Sequence, residues 1–156
     1  MRLGYKIGFG HNSDMGCQPF LPHTDMTHTP LHTATPTAVQ PTLSWLQPEA
    51  AVIVLTTAPD ALLAKRLAHE LVEEHLAACA HVGAAVVAMY MWQGKLEGGD
   101  EVPITFKTSV RRAQALMDRI RQMHPYQVPE ILVLPVMGGD SDYLAWVQEQ
   151  TSVPAV

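Results

Sequence analysis

The stretch HPYQVPEILVLP, residues 124–135, decides how the second half of this chain folds. The ring of Pro125 disfavours the α conformation at His124, so the amphipathic segment that precedes it must end there. A turn then leads to an apolar run that begins at Ile131 and has the length of a buried strand. We therefore predict that His124 lies at the C-terminus of a helix, beside the start of a strand.

Composition places the chain among globular proteins of one domain. It has 156 residues, of which 47% are hydrophobic, and this is enough for a core of ordinary size. No run of about eighteen apolar residues could span a membrane, and no apolar signal-peptide core follows Arg2 and Lys6. Cys17 and Cys79 lie in different contexts, which indicates a reducing compartment rather than a disulfide framework. We expect a cytoplasmic protein.

Charge argues against nucleic acid as a partner. The formal net charge is -5, and no basic cluster is larger than Arg111-Arg112. A surface that follows phosphates needs more positive charge than this. We expect neither nucleic acid nor a membrane as a partner.

Two regions of different composition divide the chain. Residues 1–48 hold half of the prolines and half of the histidines but only four formal charges. No apolar period runs through them, so we predict a disordered or extended N-terminal tail. Residues 49–156 are predicted to form the folded domain.

Periodicity predicts a strand and a helix at the start of this domain. Residues 52–55 form an apolar, β-branched run of strand length. The sequence Thr57-Ala58-Pro59-Asp60 has the form of a capping box, with the Thr57 hydroxyl at the N-cap. Leucines at helical spacing follow, namely Leu63, Leu67 and Leu71.

The rest of the domain alternates strands and helices. Residues 82–92 are apolar on both alternating faces, which predicts a strand that is covered on both sides. A turn at 93–95 leads to a cleanly alternating strand over 101–107. A helix from about Ser109, the strand 131–136 and a last helix capped by Gly139-Asp140 complete the chain.

The predicted order is β-α-β-β-α-β with an extra C-terminal helix. This order is the ferredoxin-like arrangement of an α+β sandwich, in which the second and fourth strands lie at the edges of the sheet. An edge strand as apolar as 82–92 invites aggregation unless another chain covers it. We therefore predict an oligomer.

His124 is the first candidate for a metal site. A neutral imidazole together with the thioether of Met123 suits a soft ion such as Cu(I), and the imidazole alone suits Zn(II) or Cu(II). The alternative is a structural histidine that bonds the last helix carbonyls. Two side chains do not complete the usual shell of four ligands.

The remaining metal-ligating and nucleophilic residues are better explained without a ligand. Cys79 has small apolar neighbours, which is typical of a buried cysteine rather than a nucleophile. His69 and His75 lie on the first helix and are expected to face solvent, whereas His81 is ambiguous. The tail residues His11, His23, His28, His32, Met15 and Cys17 favour at most weak chelation.

Four large or charged residues could line a pocket between subunits: Trp92, Glu101, Lys107 and Tyr143. Glu101 and Lys107 share the outward face of one strand, and the aromatic residues could form walls. The alternatives are a solvated strand face and simple packing between subunits. No phosphate loop and no catalytic triad has a recognisable setting, so we expect no enzyme and no required cofactor.

Several ordered motifs make residues 52–150 resemble the CutA divalent-cation tolerance proteins. They are VLTTAPD at 54–60, LAAC at 76–79, YMWQGK at 90–95, KT at 107–108, HPYQVPE at 124–130 and GDSDYLAW at 139–146. The resemblance implies a compact ferredoxin-like homotrimer that is joined through long strands. It also implies a genetic link to tolerance of copper and other divalent metals, without a known enzymatic activity.

The chain departs from that family at two places. Copper-associated members carry a cysteine where this chain has Thr56, and a histidine pair where it has Met123-His124. Thr56 is a poor copper ligand, whereas Met123 would still suit Cu(I). Pro103 removes a donor from a strand that the fold places centrally, so a bulge or break is predicted there.

These observations support two hypotheses. The first is a cytoplasmic homotrimer of metal response that binds copper or another divalent cation weakly and catalyses no reaction. The alternative is a trimeric small-molecule sensor that resembles the PII-like proteins, with its ligand near the four pocket residues. Fold analogy alone supports the second.

Overall fold

The computed structural model describes residues 43–152, and within them five strands and three helices follow a short 3-10 turn at Leu43–Trp45. The strands are β1 (Ala51–Ala58), β2 (Cys79–Val82), β3 (Val86–Trp92), β4 (Lys95–Ser109) and β5 (Ile131–Pro135). The helices are α1 (Ala61–Glu73), α2 (Val110–Met123) and α3 (Ser141–Ser152). Most of the predicted tail, residues 1–48, lies outside the described residues, but the Pro48 carbonyl accepts a hydrogen bond from the N–H of Arg111 at 2.8 Å.

The sheet has the strand order β2-β4-β1-β5, and every pairing is antiparallel. β3 pairs with the first part of β4, so these two strands extend from the sheet as a hairpin. The predicted second and fourth strands therefore lie at the edges. This arrangement confirms the ferredoxin-like α+β fold, and α3 is the extra C-terminal helix.

One face of the sheet packs against α1 and α2, and we call it the helix face. Along β1 every second residue is buried on this face, which begins with Val52 and ends with Ala58. Phe106 of β4 is completely buried and lies in one cluster with Leu67 of α1 and Leu116 of α2. Period-two strands and period-3.6 helices thus meet in a single core.

Helix α1 begins one turn later than the capping box predicts. Thr57 pairs with Pro103 and still belongs to β1. Asp60 is the N-cap instead, because it has extended backbone and its Oδ1 accepts a hydrogen bond from the N–H of Leu63 at 2.8 Å. The prediction that the Thr57 hydroxyl caps the helix is wrong, whereas the predicted cap of α3 is correct, since Asp140 accepts from the N–H of Tyr143 at 2.9 Å.

The predicted strand 82–92 is divided into β2 and β3, and the division lies opposite Pro103. The N–H of Gly83 donates to the Pro103 carbonyl at 2.9 Å, but proline has no N–H with which to return the bond. The register shifts by one residue across the gap, because Val82 pairs with Ile104 and Val86 pairs with Glu101. The predicted break thus exists, but in the partner strand.

A two-residue turn closes the β3–β4 hairpin. Gln93 and Gly94 have φ values of 49° and 77°, as a type I′ turn requires. β4 begins immediately afterwards at Lys95, six residues before the start that alternation predicts. The hairpin is not covered on both sides within one chain, because Val87 is 72%, Met89 64% and Met91 65% exposed.

Candidate functional site

His124 lies where the sequence predicts it, at the C-cap of α2. Its N–H donates to the carbonyl of Ile120 at 2.9 Å, and its ψ of 134° takes the chain out of the helix. The residue is buried, with 8% of its surface exposed. Pro125 therefore ends the helix and fixes an imidazole against the sheet.

Both nitrogens of the His124 ring have backbone partners. Nδ1 lies 3.1 Å from the N–H of Tyr126 and must accept from it. Nε2 lies 2.9 Å from the carbonyl of Thr57 and must therefore carry a proton to donate. The contacts select a neutral ring with its proton on Nε2.

The Thr56 side chain also lies near the Thr57 carbonyl. Its hydroxyl donates to the Glu130 carbonyl at 2.7 Å and lies 3.4 Å from the Thr57 carbonyl. The Tyr126 ring packs on His124 with centroids 4.8 Å apart and planes at 66°. We call Thr56, Thr57, His124, Tyr126 and Glu130 the His124 corner, which joins the ends of β1 and α2 to the start of β5.

The corner brings together two of the three positions that the resemblance links to copper. Thr56 and His124 both lie at the Thr57 carbonyl, whereas Met123 is half-buried and packs against the core cluster. Within residues 43–152, no three or more His, Cys, Asp or Glu side chains are grouped so that they could hold a metal ion. Metal binding by Met123 and His124 stays a prediction.

The four predicted pocket residues do not meet within one chain. Trp92 pairs with Lys95 at the hairpin turn, whereas Lys107 is twelve residues further along β4. At about 3.3 Å per residue the two ends are roughly 40 Å apart. Glu101, which is 9% exposed, lies between them and pairs with Val86. A common pocket of these residues requires a second subunit and stays a prediction.

Lys107 and Tyr143 do come together, through two residues that sequence reasoning did not select. Lys107 Nζ lies 2.8 Å from Nδ1 of His81, and Sγ of Cys79 lies 3.3 Å from the Tyr143 hydroxyl. Cys79 pairs directly with Lys107 across the two strands. We call Cys79, His81, Lys107 and Tyr143 the Lys107 cluster. The spacing of Cys79 and His81, two residues apart on one strand face, was the available signal.

The phenol of Tyr143 is a weaker acid in this cluster than in water. Its hydrogen bond with Cys79 raises the pKa of Tyr143 to about 12, and burial adds to the shift. Asp140 fixes the backbone of Tyr143 at the first turn of α3. The hydroxyl therefore stays protonated throughout the neutral range.

The second face of the sheet, which we call the open face, carries this cluster and many apolar side chains. Register places the following on it: Ile53, Leu55, Cys79, His81, Thr105, Lys107, Leu132 and Leu134. Leu132 is 52% exposed and Leu134 41%. Large apolar areas of this kind mark interaction surfaces.

These features define a class of protein: a ferredoxin-like domain with a projecting apolar hairpin, an incompletely covered sheet face and a histidine locked at a helix end. Within the described part of the chain, no helix is long and apolar enough to cross a membrane. Residues 52–150 match the family described as CutA1 divalent ion tolerance protein. The chain belongs to this family.

Similar proteins agree with the assignment. The chain is 50% identical over 97 residues to the divalent-cation tolerance protein CutA of Pectobacterium atrosepticum. The aligned region covers 62% of this chain and 88% of that protein. The CutA1 crystal structure from the psychrotrophic bacterium Shewanella sp. SIB1 aligns with a TM-score of 0.66 and 37% identity, covering 69% of this chain and all of that one. The divalent cation tolerance protein of Thermus thermophilus aligns with a TM-score of 0.64 and 38% identity, covering 65% of this chain and 98% of that one.

Proposed function

We propose that this divalent-cation tolerance protein acts in the cytoplasm as a non-enzymatic homotrimer that binds copper or another divalent cation weakly. The observation that carries the proposal is the family match over residues 52–150, which is nearly the whole folded domain. Cells that lack the protein should grow poorly as copper or zinc rises, and the wild-type chain should restore growth. Equal growth with and without the protein in every metal tested would contradict the role in tolerance.

The exposed hairpin supports the homotrimer. Val87, Met91 and Leu96, at 72%, 65% and 66% exposure, would leave a large apolar area in water on a single chain. Closed cyclic symmetry covers such an area with a complementary surface of a neighbouring subunit. The number three comes from the family resemblance.

Light scattering after size exclusion tests this assembly. Val87→Lys should give a single-chain mass or a mixture, because a charge is forced into an apolar contact. Leu62→Lys is the matched control, since Leu62 is 80% exposed on α1 and away from the hairpin. A single-chain mass for the wild-type protein would refute the trimer.

The contacts of the His124 corner support weak rather than tight binding of a metal ion. An ion at Nδ1 must displace the N–H of Tyr126, which leaves a donor without its partner. Met123 offers a thioether one residue away, which suits Cu(I). The net affinity is therefore the small difference between forming a metal bond and losing a hydrogen bond.

Calorimetric titration of the full chain with Cu(I), Cu(II) and Zn(II) tests this site. The proteins compared are wild type, His124→Ala, Met123→Ala and a variant with His11, His23, His28 and His32 changed to Asn. If His124→Ala or Met123→Ala removes binding and the tail variant keeps it, the metal ion binds at Met123 and His124. Binding lost only in the tail variant would assign the metal to the tail histidines.

The cytoplasmic location rests on the two cysteines, Cys17 and Cys79, whose different contexts indicate a reducing compartment rather than a disulfide framework. One similar structure, from Archaeoglobus fulgidus, is described as a periplasmic divalent cation tolerance protein. Cell fractionation with an antibody against the chain separates the two locations. Recovery in the periplasmic fraction would refute the cytoplasmic assignment.

A further inference from the structure

The Lys107 cluster contains hydrogen-bond donors and a positive charge that no ion pair within the described residues neutralises. The Lys107 ammonium bonds the neutral acceptor Nδ1 of His81 at 2.8 Å. Among residues 43–152, no carboxylate forms an ion pair with Lys107. The residue of β1 that pairs with Lys107 is the apolar Ile53. The nearest acidic residue on the same face of β4 is Glu101, six residues away.

Three of the four members of the cluster can offer a proton to a ligand, namely Lys107, His81 and one of Tyr143 and Cys79. Since Nδ1 of His81 accepts from Lys107, the ring proton lies on Nε2 and is directed elsewhere. Lys107 keeps two further N–H donors, and the contact of Tyr143 with Cys79 leaves one of these two groups able to donate. A set of donors around one cation is complementary to an anion and repels a metal ion.

An aromatic surface adjoins the donors. The rings of Tyr143 and Trp146 lie 5.6 Å apart, and these residues are 43% and 38% exposed. Ile53 and Leu55 extend the apolar surface along β1 on the same face. A ligand held by its charge at Lys107 would therefore also contact apolar side chains through its body.

We propose that the Lys107 cluster is a binding site for a small organic anion, with a carboxylate or phosphate at Lys107 and His81 and an apolar body against Tyr143 and Trp146. The site uses none of the residues of the His124 corner. The proposed ligand is an anion, whereas the proposed function concerns a cation. The two proposals can therefore be tested independently.

Nuclear magnetic resonance of the full chain tests the site through the tryptophan indole N–H signals. Benzoate and phenyl phosphate should shift the Trp146 signal saturably, whereas those of Trp45 and Trp92 serve as internal references. Trp146→Phe assigns the signal. Acetate and inorganic phosphate are anions without an apolar body, so they test whether that body contributes to the affinity. Benzylamine has the aromatic ring but a positive charge, so it tests whether the site requires an anion.

Lys107→Met should weaken benzoate binding at least about tenfold, because it removes a charge-assisted hydrogen bond while keeping a similar length. Lys95→Met is the matched control, since Lys95 lies on the same strand at the hairpin turn. Tyr143→Phe removes only the hydroxyl and provides a second test if Lys107→Met does not fold, as judged by circular dichroism.

Three results would overturn the proposal. The first is no shift of Trp146 at any benzoate or phenyl phosphate concentration up to the solubility limit. The second is equal weakening by Lys107→Met and Lys95→Met. The third is equal affinity for benzoate and acetate, which would remove the organic body from the assignment. Metal titration of the same variants reports on the His124 corner separately.

Discussion

The two faces of the sheet are built from the same strands but differ in what one chain completes. On the helix face, Val54, Phe106 and Leu116 have no exposed surface. On the open face and the hairpin, apolar residues such as Leu132 and Met91 remain more than half exposed. A single chain thus completes its core on the helix face below α1 and α2, whereas the open face and the hairpin retain exposed apolar side chains.

The largest expected effect separates these two regions by stability. Phe106→Ala should lower the free energy of unfolding by about 3–5 kcal/mol, because it opens a cavity in the core. Val87→Ala on the hairpin should leave the unfolding of a dissociated chain nearly unchanged. Denaturant unfolding at several protein concentrations measures both, since assembly makes stability depend on concentration. Equal losses of unfolding free energy in the two variants would show that the core and the hairpin do not differ in this way.

The next effect concerns the joint between sheet and hairpin. A Cβ atom on Gly83 would lie 2.9 Å from Cγ of Pro103. Gly83→Ala should therefore cost about 1–3 kcal/mol through overpacking. The double variant Gly83→Ala/Pro103→Ala should recover part of the loss, and chemical unfolding of the four proteins gives the coupling. Full additivity would show that the close approach is not the cause.

A smaller effect sharpens the description of the helix face. Asp60→Ala should destabilise the protein by about 1 kcal/mol, because it removes the acceptor for the N–H of Leu63. Thr57→Val is the control, since the sequence alone assigns the cap to that residue. Thermal unfolding should rank Asp60→Ala below Thr57→Val. The reverse order would support the capping box that the sequence predicts, with Thr57 as the N-cap.

The smallest effect is spectroscopic and belongs to the open face. Because the folded-state pKa of Tyr143 is raised from 10.0 to about 12, the phenol form is complete below pH 10 and is lost as pH rises through about 12. Absorbance titration of the four tyrosines should therefore contain a late component. Tyr143→Phe should remove it and Cys79→Ala should move it to lower pH. A late component that survives Tyr143→Phe belongs to another tyrosine.

Periodicity and proline placement were enough to predict the fold order and the position of His124. Alternation at Val102, Ile104 and Phe106 identifies the helix face of β4, and Pro125 ends α2. The start of β4 was missed because Gly98 and Gly99, which disfavour strands, interrupt the pattern. The Thr57 cap was wrong because a strand and a helix signal overlap there.

The candidate sites were predicted less completely, for a physical reason. That His124 ends a helix follows from its neighbour in sequence, but the partners of its ring come from β1 and the turn. The contact between His81 and Lys107 depends on the register of two strands, and one sequence does not specify it. Local rules locate a residue on its element, whereas its chemistry depends on residues that are distant in sequence.

Because the register shifts by one residue opposite Pro103, the connection from β2 to β3 contains one residue more than the facing part of β4. Odd-numbered and even-numbered residues therefore exchange faces between the two strands. On β2 the odd-numbered residues Cys79 and His81 share a face with Lys107, but on β3 the even-numbered Tyr90 and Trp92 occupy the corresponding face of the ladder. Deleting one residue between Val82 and Val86 would remove the extra residue, but the Gln93-Gly94 turn would still fix which residues of β3 pair with those of β4. The exposed surface of the hairpin is therefore set by its own turn, whereas the extra residue opposite Pro103 lets β3 follow β2 without changing that surface.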